Sequence, residues 1–172
     1  ACVAELFTKK FGGLSCNVSN YKRFFKKTRI ASAYIVSASG GKDAVKMAEF
    51  LTGAGFKPNL ITCNEKAPAK KLSNKIFVFP ALQEPPTYNV STYSSMIYWL
   101  FGEDINKIKM SLKQLKIPDL RKYKYIFFLA ADKYDAIAKM ASRKVAETLE
   151  GIGSNGDGFS NSAHGMLRQP NK

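Results

Sequence analysis

The chain has 172 residues, of which 45% are apolar, so it is long enough to bury a core without disulfides or a metal ion. Its three cysteines, Cys2, Cys16 and Cys63, fit neither a disulfide framework nor a zinc motif, which predicts reduced thiols. No apolar run approaches the ~20 residues that span a bilayer, and the first residues lack a signal-peptide pattern. We therefore expect a soluble, cytoplasmic protein with no membrane partner.

The formal net charge of +14 indicates affinity for anions, yet its make-up argues against nucleic acid. Of the 27 basic residues, 22 are lysine and five are arginine, whereas arginine makes most base-edge contacts in nucleic-acid recognition. The lysines are spread along the chain rather than interleaved with aromatic residues. Solvated lysine faces, attraction of small anionic substrates and, as the weakest interpretation, nucleic-acid binding stay open.

The first half of the sequence alternates predicted strands and helices, which is typical of a parallel sheet covered on both faces. Apolar residues at helical spacing predict the helices, and short apolar runs bounded by glycine, proline or asparagine predict the strands. The predicted elements are a helix at 1–11, a short strand at 14–18, a short helix at 21–27, a strand at 30–36, a helix at 44–55, a strand at 59–63, a short helix at 69–72 and a strand at 76–79.

The second half predicts a restart of the same pattern. Residues 151–172 are rich in glycine, asparagine and serine, so we expect a loop there and no further strand. We divide the chain into an α/β domain at 1–102, a linker helix within 103–122 and the beginning of a second unit at 123–172. The predicted elements are a proline-containing loop at 83–87, a helix at 91–101, a helix at 106–115, a strand at 125–130 and a long helix at 132–150.

The stretch Ser37-Ala38-Ser39-Gly40-Gly41-Lys42 lies between a predicted strand and a predicted helix. Glycines allow the backbone to approach a ligand closely, and the start of the helix directs its free N–H groups and the positive end of its dipole to the same place. This arrangement predicts a phosphate site. The alternative is an ordinary turn in which Ser39 caps the helix.

Two other features of the sequence are weaker evidence for a functional site. Residues 151–156 match G-x-G-x-x-G, but they follow a predicted helix, whereas the dinucleotide fingerprint follows a strand and opens a helix. The chain contains one histidine, which excludes most metal sites and catalytic triads within a single subunit.

The order of the motifs resembles the SIS (sugar isomerase) domain family, which includes phosphosugar isomerases, the isomerase domains of glucosamine-6-phosphate synthase and fructosamine deglycases. The resemblance is carried by S-x-S-G before a helix, a strand N-L-I-T-C-N, a loop A-P-A-K-K-L, a strand K-I-F-V-F-P and a serine-threonine pair that opens a helix, all between residues 30 and 101. It is looser over residues 1–27, which match the family's first helix and second strand but not its first strand. The resemblance implies a three-layer α/β/α sandwich with a parallel sheet, of the flavodoxin-like type, and the start of a second such unit.

The resemblance implies that Ser37, Ser39 and Gly40 hold the phosphate of a sugar phosphate. Gly41 and Lys42 replace the usual Glu and Thr of the family motif, which removes one hydroxyl but adds an ammonium at the start of the helix. The pair Ser91-Thr92 is similar to the family's S-T-K segment and is assigned to the same phosphosugar site. Its alternative role is to cap the helix that follows.

Three residues of the second unit, Lys144, Glu147 and His164, match the family's K-x-x-E and H-G segments. The resemblance implies that Glu147 is the general base between C1 and C2 of the open-chain sugar and that His164 assists ring opening. The alternatives are a solvent-exposed ion pair between Lys144 and Glu147, which lie one helical turn apart, and a loop histidine without a catalytic task.

Two departures from the family pattern bear on function. Asn161 occupies the position of an acidic residue before His-Gly, and the second unit ends before its sheet is complete, as expected for a fragment or for a chain that relies on a partner. The family often takes its histidine from a neighbouring subunit, which implies a homodimer. We therefore expect an aldose-ketose isomerase or an amino-sugar-phosphate deaminase or deglycase with no cofactor and no metal; the alternative is a non-catalytic sugar-phosphate sensor.

Overall fold

The structure is a computed structural model and describes residues 2–27, 29–79 and 91–164. In these ranges the α-helices are α1 (Cys2–Phe11), α2 (Tyr21–Lys27), α3 (Lys42–Gly53), α4 (Ser91–Phe101), α5 (Ile105–Gln114), α6 (Asp135–Thr148) and α7 (Phe159–His164). The strands are β1 (Tyr34–Val36), β2 (Asn59–Thr62), β3 (Ile76–Val78), β4 (Tyr125–Ala130) and β5 (Gly153–Gly158). Short 3-10 turns cover Pro68–Leu72, Leu120–Lys122 and Asp132–Tyr134. The predicted loop at 83–87 lies outside the described residues.

The described strands form two parallel sheets. In the first sheet the order is β1-β2-β3, with Ile35 opposite Leu60 and Ile61 opposite Phe77. In the second sheet β4 lies beside β5, with Phe128 opposite Gly156. Each parallel connection requires a crossover, and helices supply it between β1 and β2 and between β4 and β5. The predicted α/β fold with a parallel sheet is confirmed.

Strand β2 separates two layers of apolar packing because its side chains alternate between the faces of the sheet. Leu60, with no exposed surface, packs with Ile35 and with a stripe of α3 that recurs at three- and four-residue spacing. Ile61 faces the opposite side and packs with α1 and α4. Helices therefore cover both faces of the sheet, as the predicted three-layer arrangement requires. The buried residues of the α3 stripe are Ala44, Ala48 and Leu51.

Helix α1 joins the two sheets. Its buried residues Val3 and Leu6 belong to one apolar cluster with Leu100 of α4 and Ala136 of α6. At the edge of this cluster Lys9 forms an ion pair with Asp135, whose carboxylate also accepts a hydrogen bond from Lys139 at 3.2 Å. Apolar contact and paired charge thus tie α6 to the first half of the chain.

The expectation of a loop at 151–172 with no further strand is wrong, since Gly153–Gly158 is strand β5. The residues of β5 have low strand propensity, so local sequence predicts a loop. Packing decides otherwise, because α6 crosses β5 so closely that a Cβ atom on Gly156 would lie 2.2 Å from the carbonyl oxygen of Ala138. The G-x-G-x-x-G match is therefore a strand that permits a helix to approach closely.

The short strand expected at 14–18 is also absent, because these residues form no strand in the structure. Gly12 and Gly13 end α1 with φ values of +79° and +113°, and the chain then continues without regular structure. Leu14 and Val18 are exposed. Because these apolar side chains are exposed, burial contributes little free energy that would hold this segment in a sheet.

We predict that the pairing of Asp135 with two lysines makes stability depend on pH. Partial burial raises the pKa of Asp135, but the hydrogen bonds from Lys9 and Lys139 outweigh it and hold the pKa below its ordinary value. Because the folded-state pKa is lowered, this stabilisation is complete above the unfolded pKa of about 4 and is lost as the pH falls through the lower folded pKa. Asp135→Asn should lower the free energy of unfolding by about 1 kcal/mol at pH 7, measured by urea denaturation.

The difference between wild type and Asp135→Asn should shrink as the pH falls from 4 towards 2. The matched control is Asp119→Asn, which removes a carboxylate paired with Arg121 on the surface and should change stability little. A difference for Asp135→Asn that stays constant from pH 7 to pH 2 would contradict this assignment.

Candidate functional site

The turn Ser37–Gly41 begins where β1 ends. The Ser37 N–H still bonds to the Ile61 carbonyl oxygen at 2.9 Å, which extends the ladder with β2 by one residue. The chain then reverses, and the Gly40 N–H donates to the Ser37 carbonyl oxygen at 3.2 Å and to Ser37 Oγ at 3.1 Å. The Gly41 N–H donates to Ser39 Oγ at 3.3 Å. Both serine oxygens therefore act as acceptors inside the turn.

The acceptor role of the two serine oxygens leaves their O–H groups as donors. A serine hydroxyl has one donor proton and two acceptor lone pairs, so an oxygen that accepts a backbone N–H still has its proton to give. Among the residues that the structure describes, neither Ser37 Oγ nor Ser39 Oγ donates to a protein acceptor. The turn thus presents two hydroxyl donors of the kind that an anionic oxygen accepts.

Gly40 is the residue that the turn cannot exchange. Its φ of +59° lies in the left-handed region, which favours glycine. A Cβ atom at this position would also lie 2.4 Å from the Cβ of Ala67, in the loop after β2. Backbone conformation and close packing therefore require glycine here for separate reasons.

Helix α3 starts directly after the turn and has no side-chain cap. Its N-cap is Gly41, and no side-chain cap bond is formed within the described part of the chain. The alternative in which Ser39 caps this helix is therefore wrong, because Ser39 Oγ accepts from Gly41 instead. The first N–H groups of α3, the positive end of its dipole and the cationic Lys42, its first residue, lie beside the two serines.

The end of β2 and the two residues that follow it hold the turn in place by hydrogen bonds. Thr62 Oγ1 and the Cys63 N–H both donate to the Ala38 carbonyl oxygen, each at 2.9 Å. Asn64 Nδ2 donates to the Ser39 carbonyl oxygen at 3.0 Å. Sequence reasoning missed these contacts, although asparagine directly after a strand is a common turn signal.

Helix α4 begins at the same edge of the sheet. Cys63 Sγ lies 3.8 Å from the carbonyl oxygen of Thr92, a contact at the long limit for a sulfur donor, and Thr92 is buried. Because the Cys63 N–H also bonds to the Ala38 carbonyl oxygen, the turn and the start of α4 both contact Cys63, directly after β2. Ser91 is the first residue of α4, and its side chain lies outside the described part of the structure.

The Cys63 thiol is a poor nucleophile at neutral pH. Burial raises its pKa above the ordinary value, although the contact with Thr92 opposes this shift. Nucleophilic chemistry needs the thiolate. In the described ranges, no group of three or more His, Cys, Asp or Glu side chains is placed to hold a metal ion.

The predicted catalytic residues lie on α6 and α7. Lys144 Nζ bonds to Glu147 Oε2 at 2.7 Å, which confirms that the two side chains share a face of α6. Glu147 is half exposed and lies in the last turn of α6, a helix that packs against β4 and β5. Its described ion pair joins it to Lys144 and not to the turn at 37–41. His164 is the last residue of α7, and its side chain lies outside the described part, as does Gly165.

The parallel α/β fold of this chain is similar to the folds of several solved structures assigned as phosphosugar isomerases. The expected resemblance to the SIS domain family is confirmed at the level of the fold by solved structures. No model of a known protein family matches the sequence, and no curated protein matches it.

Three solved structures represent this similarity. Glucosamine-6-phosphate deaminase from Thermotoga maritima shares 14% identity and a TM-score of 0.64 over 96% of this chain and 58% of its own. Tagatose-6-phosphate ketose/aldose isomerase from Escherichia coli shares 16% identity and a TM-score of 0.65 over 97% and 56%. A protein from Silicibacter pomeroyi DSS-3 assigned as a phosphosugar isomerase shares 16% identity and a TM-score of 0.71 over 99% and 59%. This chain spans less than two thirds of each.

None of the helices that the structure describes has the length and apolarity to cross a membrane.

We predict that Gly40→Ala disrupts the turn. The left-handed backbone alone costs a residue with a Cβ atom about 1–2 kcal/mol, and the contact with Ala67 adds to that cost. Urea denaturation should therefore give a lower free energy of unfolding for this variant. The matched control is Gly41→Ala, whose φ of −88° suits any residue and whose Cβ would meet the movable Ser39 side chain at 3.3 Å. Equal losses for the two variants would contradict the assignment.

Proposed function

We propose that the turn Ser37–Gly41 binds the phosphate group of a sugar phosphate. The observation that carries the proposal is the pair of serine hydroxyls whose oxygens accept the Gly40 and Gly41 N–H groups, so that their protons are available to an anion. The uncapped start of α3 adds backbone N–H donors and a favourable dipole. Lys42 adds a cationic point charge, and Ser91 and Thr92 add hydroxyls from α4.

The choice of sugar is suggested by the solved structures that are similar to this chain. The similar structures include a glucosamine-6-phosphate deaminase and a tagatose-6-phosphate isomerase, so hexose and amino-hexose 6-phosphates are the first candidates. A cationic protein of net charge +14 attracts such dianions over long distances. Nucleic acid is a weaker candidate, because 22 of the 27 basic residues are lysine and only five are arginine.

We infer in addition that Glu147 is a general base. In this proposal its carboxylate removes the proton from C2 of an open-chain aldose phosphate and returns it to C1, while the proton of the C2 hydroxyl passes to the C1 oxygen, so that the carbonyl group moves from C1 to C2. Lys144 holds the carboxylate in place at 2.7 Å. His164 would transfer the proton that opens the sugar ring. We also propose that the protein is a homodimer in which the histidine comes from a neighbouring subunit. We further propose that it is cytoplasmic and that it is divided into units at 1–102 and 123–172 with a linker between them.

A sensor is the second candidate function. Glu147 is half exposed and its described partner is Lys144 on its own helix, an arrangement that a surface ion pair without chemistry would also have. A protein of this kind binds the sugar phosphate and regulates a partner without turnover. Binding and turnover must therefore be measured separately.

We predict that Ser37→Ala/Ser39→Ala raises the dissociation constant for sugar phosphates by about 100-fold or more, since each of the two lost bonds to a charged group is worth about 1.5–3 kcal/mol and about 1.4 kcal/mol is tenfold. Isothermal titration with glucosamine 6-phosphate and fructose 6-phosphate measures the effect, and the free sugars serve as ligand controls. Ser73→Ala, which removes a hydroxyl bonded to the Ala69 carbonyl oxygen away from the turn, is the protein control. Equal affinity for phosphorylated and free sugars would overturn the phosphate site.

We predict that Glu147→Gln separates the enzyme from the sensor. For an isomerase, loss of the general base should lower kcat by about 10²- to 10⁴-fold while the dissociation constant changes little. Aldose-ketose conversion of hexose 6-phosphates is followed by nuclear magnetic resonance with wild type, Glu147→Gln and Glu65→Gln, the last a carboxylate in the loop after β2. If wild type binds these ligands but converts none of them, the sensor is supported.

A further inference from the structure

Thr62 is the last residue of β2, and Cys63 and Asn64 follow it directly. All three residues donate hydrogen bonds to the proposed phosphate turn Ser37–Gly41. Thr62 Oγ1 and the Cys63 N–H occupy the Ala38 carbonyl oxygen, and Asn64 Nδ2 occupies the Ser39 carbonyl oxygen. Two successive carbonyl groups of the turn are therefore held by three donors from a single neighbouring segment. Thr62 has no exposed surface, so water does not compete for its bond.

The planarity of the peptide group gives these bonds a consequence for the ligand. In a trans peptide the C=O and the following N–H point in opposite directions. Anchoring the Ala38 carbonyl towards β2 therefore directs the Ser39 N–H away from β2. Anchoring the Ser39 carbonyl towards Asn64 likewise directs the Gly40 N–H away from that loop, where it meets Ser37 Oγ at 3.1 Å.

Asn64 is itself held in place. Its backbone N–H donates to Thr62 Oγ1 at 3.2 Å, and its Oδ1 accepts from the Lys66 N–H at 2.9 Å. The loop then returns to the turn, where the Ala69 N–H donates to the Gly40 carbonyl oxygen at 3.0 Å and Ala67 packs against Gly40. The carbonyl groups of residues 38, 39 and 40 are thus all fixed by the segment 62–69.

We propose that Thr62 and Asn64 are positioning residues for the phosphate site, which orient the Ser39 N–H and the Ser37 hydroxyl towards the anion without contacting it. This inference rests on the proposed function, because it assigns a task to the loop beside the same turn. The same segment reaches the second predicted phosphate element, since Cys63 Sγ lies 3.8 Å from the Thr92 carbonyl oxygen. The segment 62–64 therefore holds both hydroxyl-bearing elements in one arrangement before the ligand arrives, which lowers the ordering cost of binding.

The test uses Thr62→Val, which keeps the shape of the side chain and removes its hydroxyl, and Asn64→Ala. Each variant should raise the dissociation constant for glucosamine 6-phosphate about five- to tenfold, as expected for one hydrogen bond acting indirectly. Thr62→Ser, which restores the hydroxyl, should recover wild-type affinity. Ser73→Ala is the matched control, because it removes a side-chain bond to a carbonyl oxygen in the same loop but not in the turn.

A second measurement distinguishes positioning from general stability and from failure of the proposed function. Amide hydrogen exchange of the free protein should be faster at Gly40 and Gly41 in Thr62→Val and Asn64→Ala, with exchange of the β2 and α3 core amides unchanged. Unchanged exchange at the two glycines overturns the positioning role, whether or not a sugar phosphate binds. Wild-type protein that binds no sugar phosphate overturns the proposed function alone, and binding that the two variants leave intact overturns this inference alone.

Discussion

The burial of β2 is the constraint on which the rest of the structure depends. All four of its residues are buried, so their backbone groups must pair within the protein and their side chains must find apolar partners on both faces. Leu60 meets α3 on one face, and Ile61 meets α1 and α4 on the other. Because contacts on both faces hold β2 in place, the residues that follow its carboxyl end are also held in place. The turn, the loop 62–69 and the start of α4 meet there as a result.

The chemistry of the candidate site follows from how its polar groups are already used. The carbonyl groups of the turn are bonded to the loop after β2, and the serine oxygens accept backbone N–H groups. What the turn still offers is donors, together with the dipole of α3 and the charge of Lys42. We therefore propose an acceptor-rich anion as the ligand of this turn. The Lys144–Glu147 pair lies on α6, which packs against β4 and β5, so the proposed binding turn and the proposed general base lie on different parts of the fold.

Glycine has different physical roles at the two motifs that contain it. At Gly40 the left-handed backbone and the contact with Ala67 both exclude a side chain, which keeps the turn tight at the proposed site. At Gly156 the conformation is that of a strand, and only the close approach of α6 excludes a Cβ atom. A pattern of glycine letters therefore did not identify a nucleotide loop. The element before the pattern, a helix rather than a strand, was the more informative signal.

Much of the fold and part of the site could be predicted from local sequence. The periodicity of apolar residues indicated α1, α3, α4 and α6, and short apolar runs indicated β2 and β4, because these patterns can be recognised in local sequence. The turn was also predictable, since serine and glycine between a strand and a helix have a local meaning. Strand β5 and the anchoring of the turn by Thr62 and Asn64 were not. Both depend on groups that are distant in the sequence. Strand β5 depends on the helix that covers residues 153–158, and the anchoring bonds depend on the carbonyl groups of residues 38 and 39. Only the tertiary structure brings these groups together.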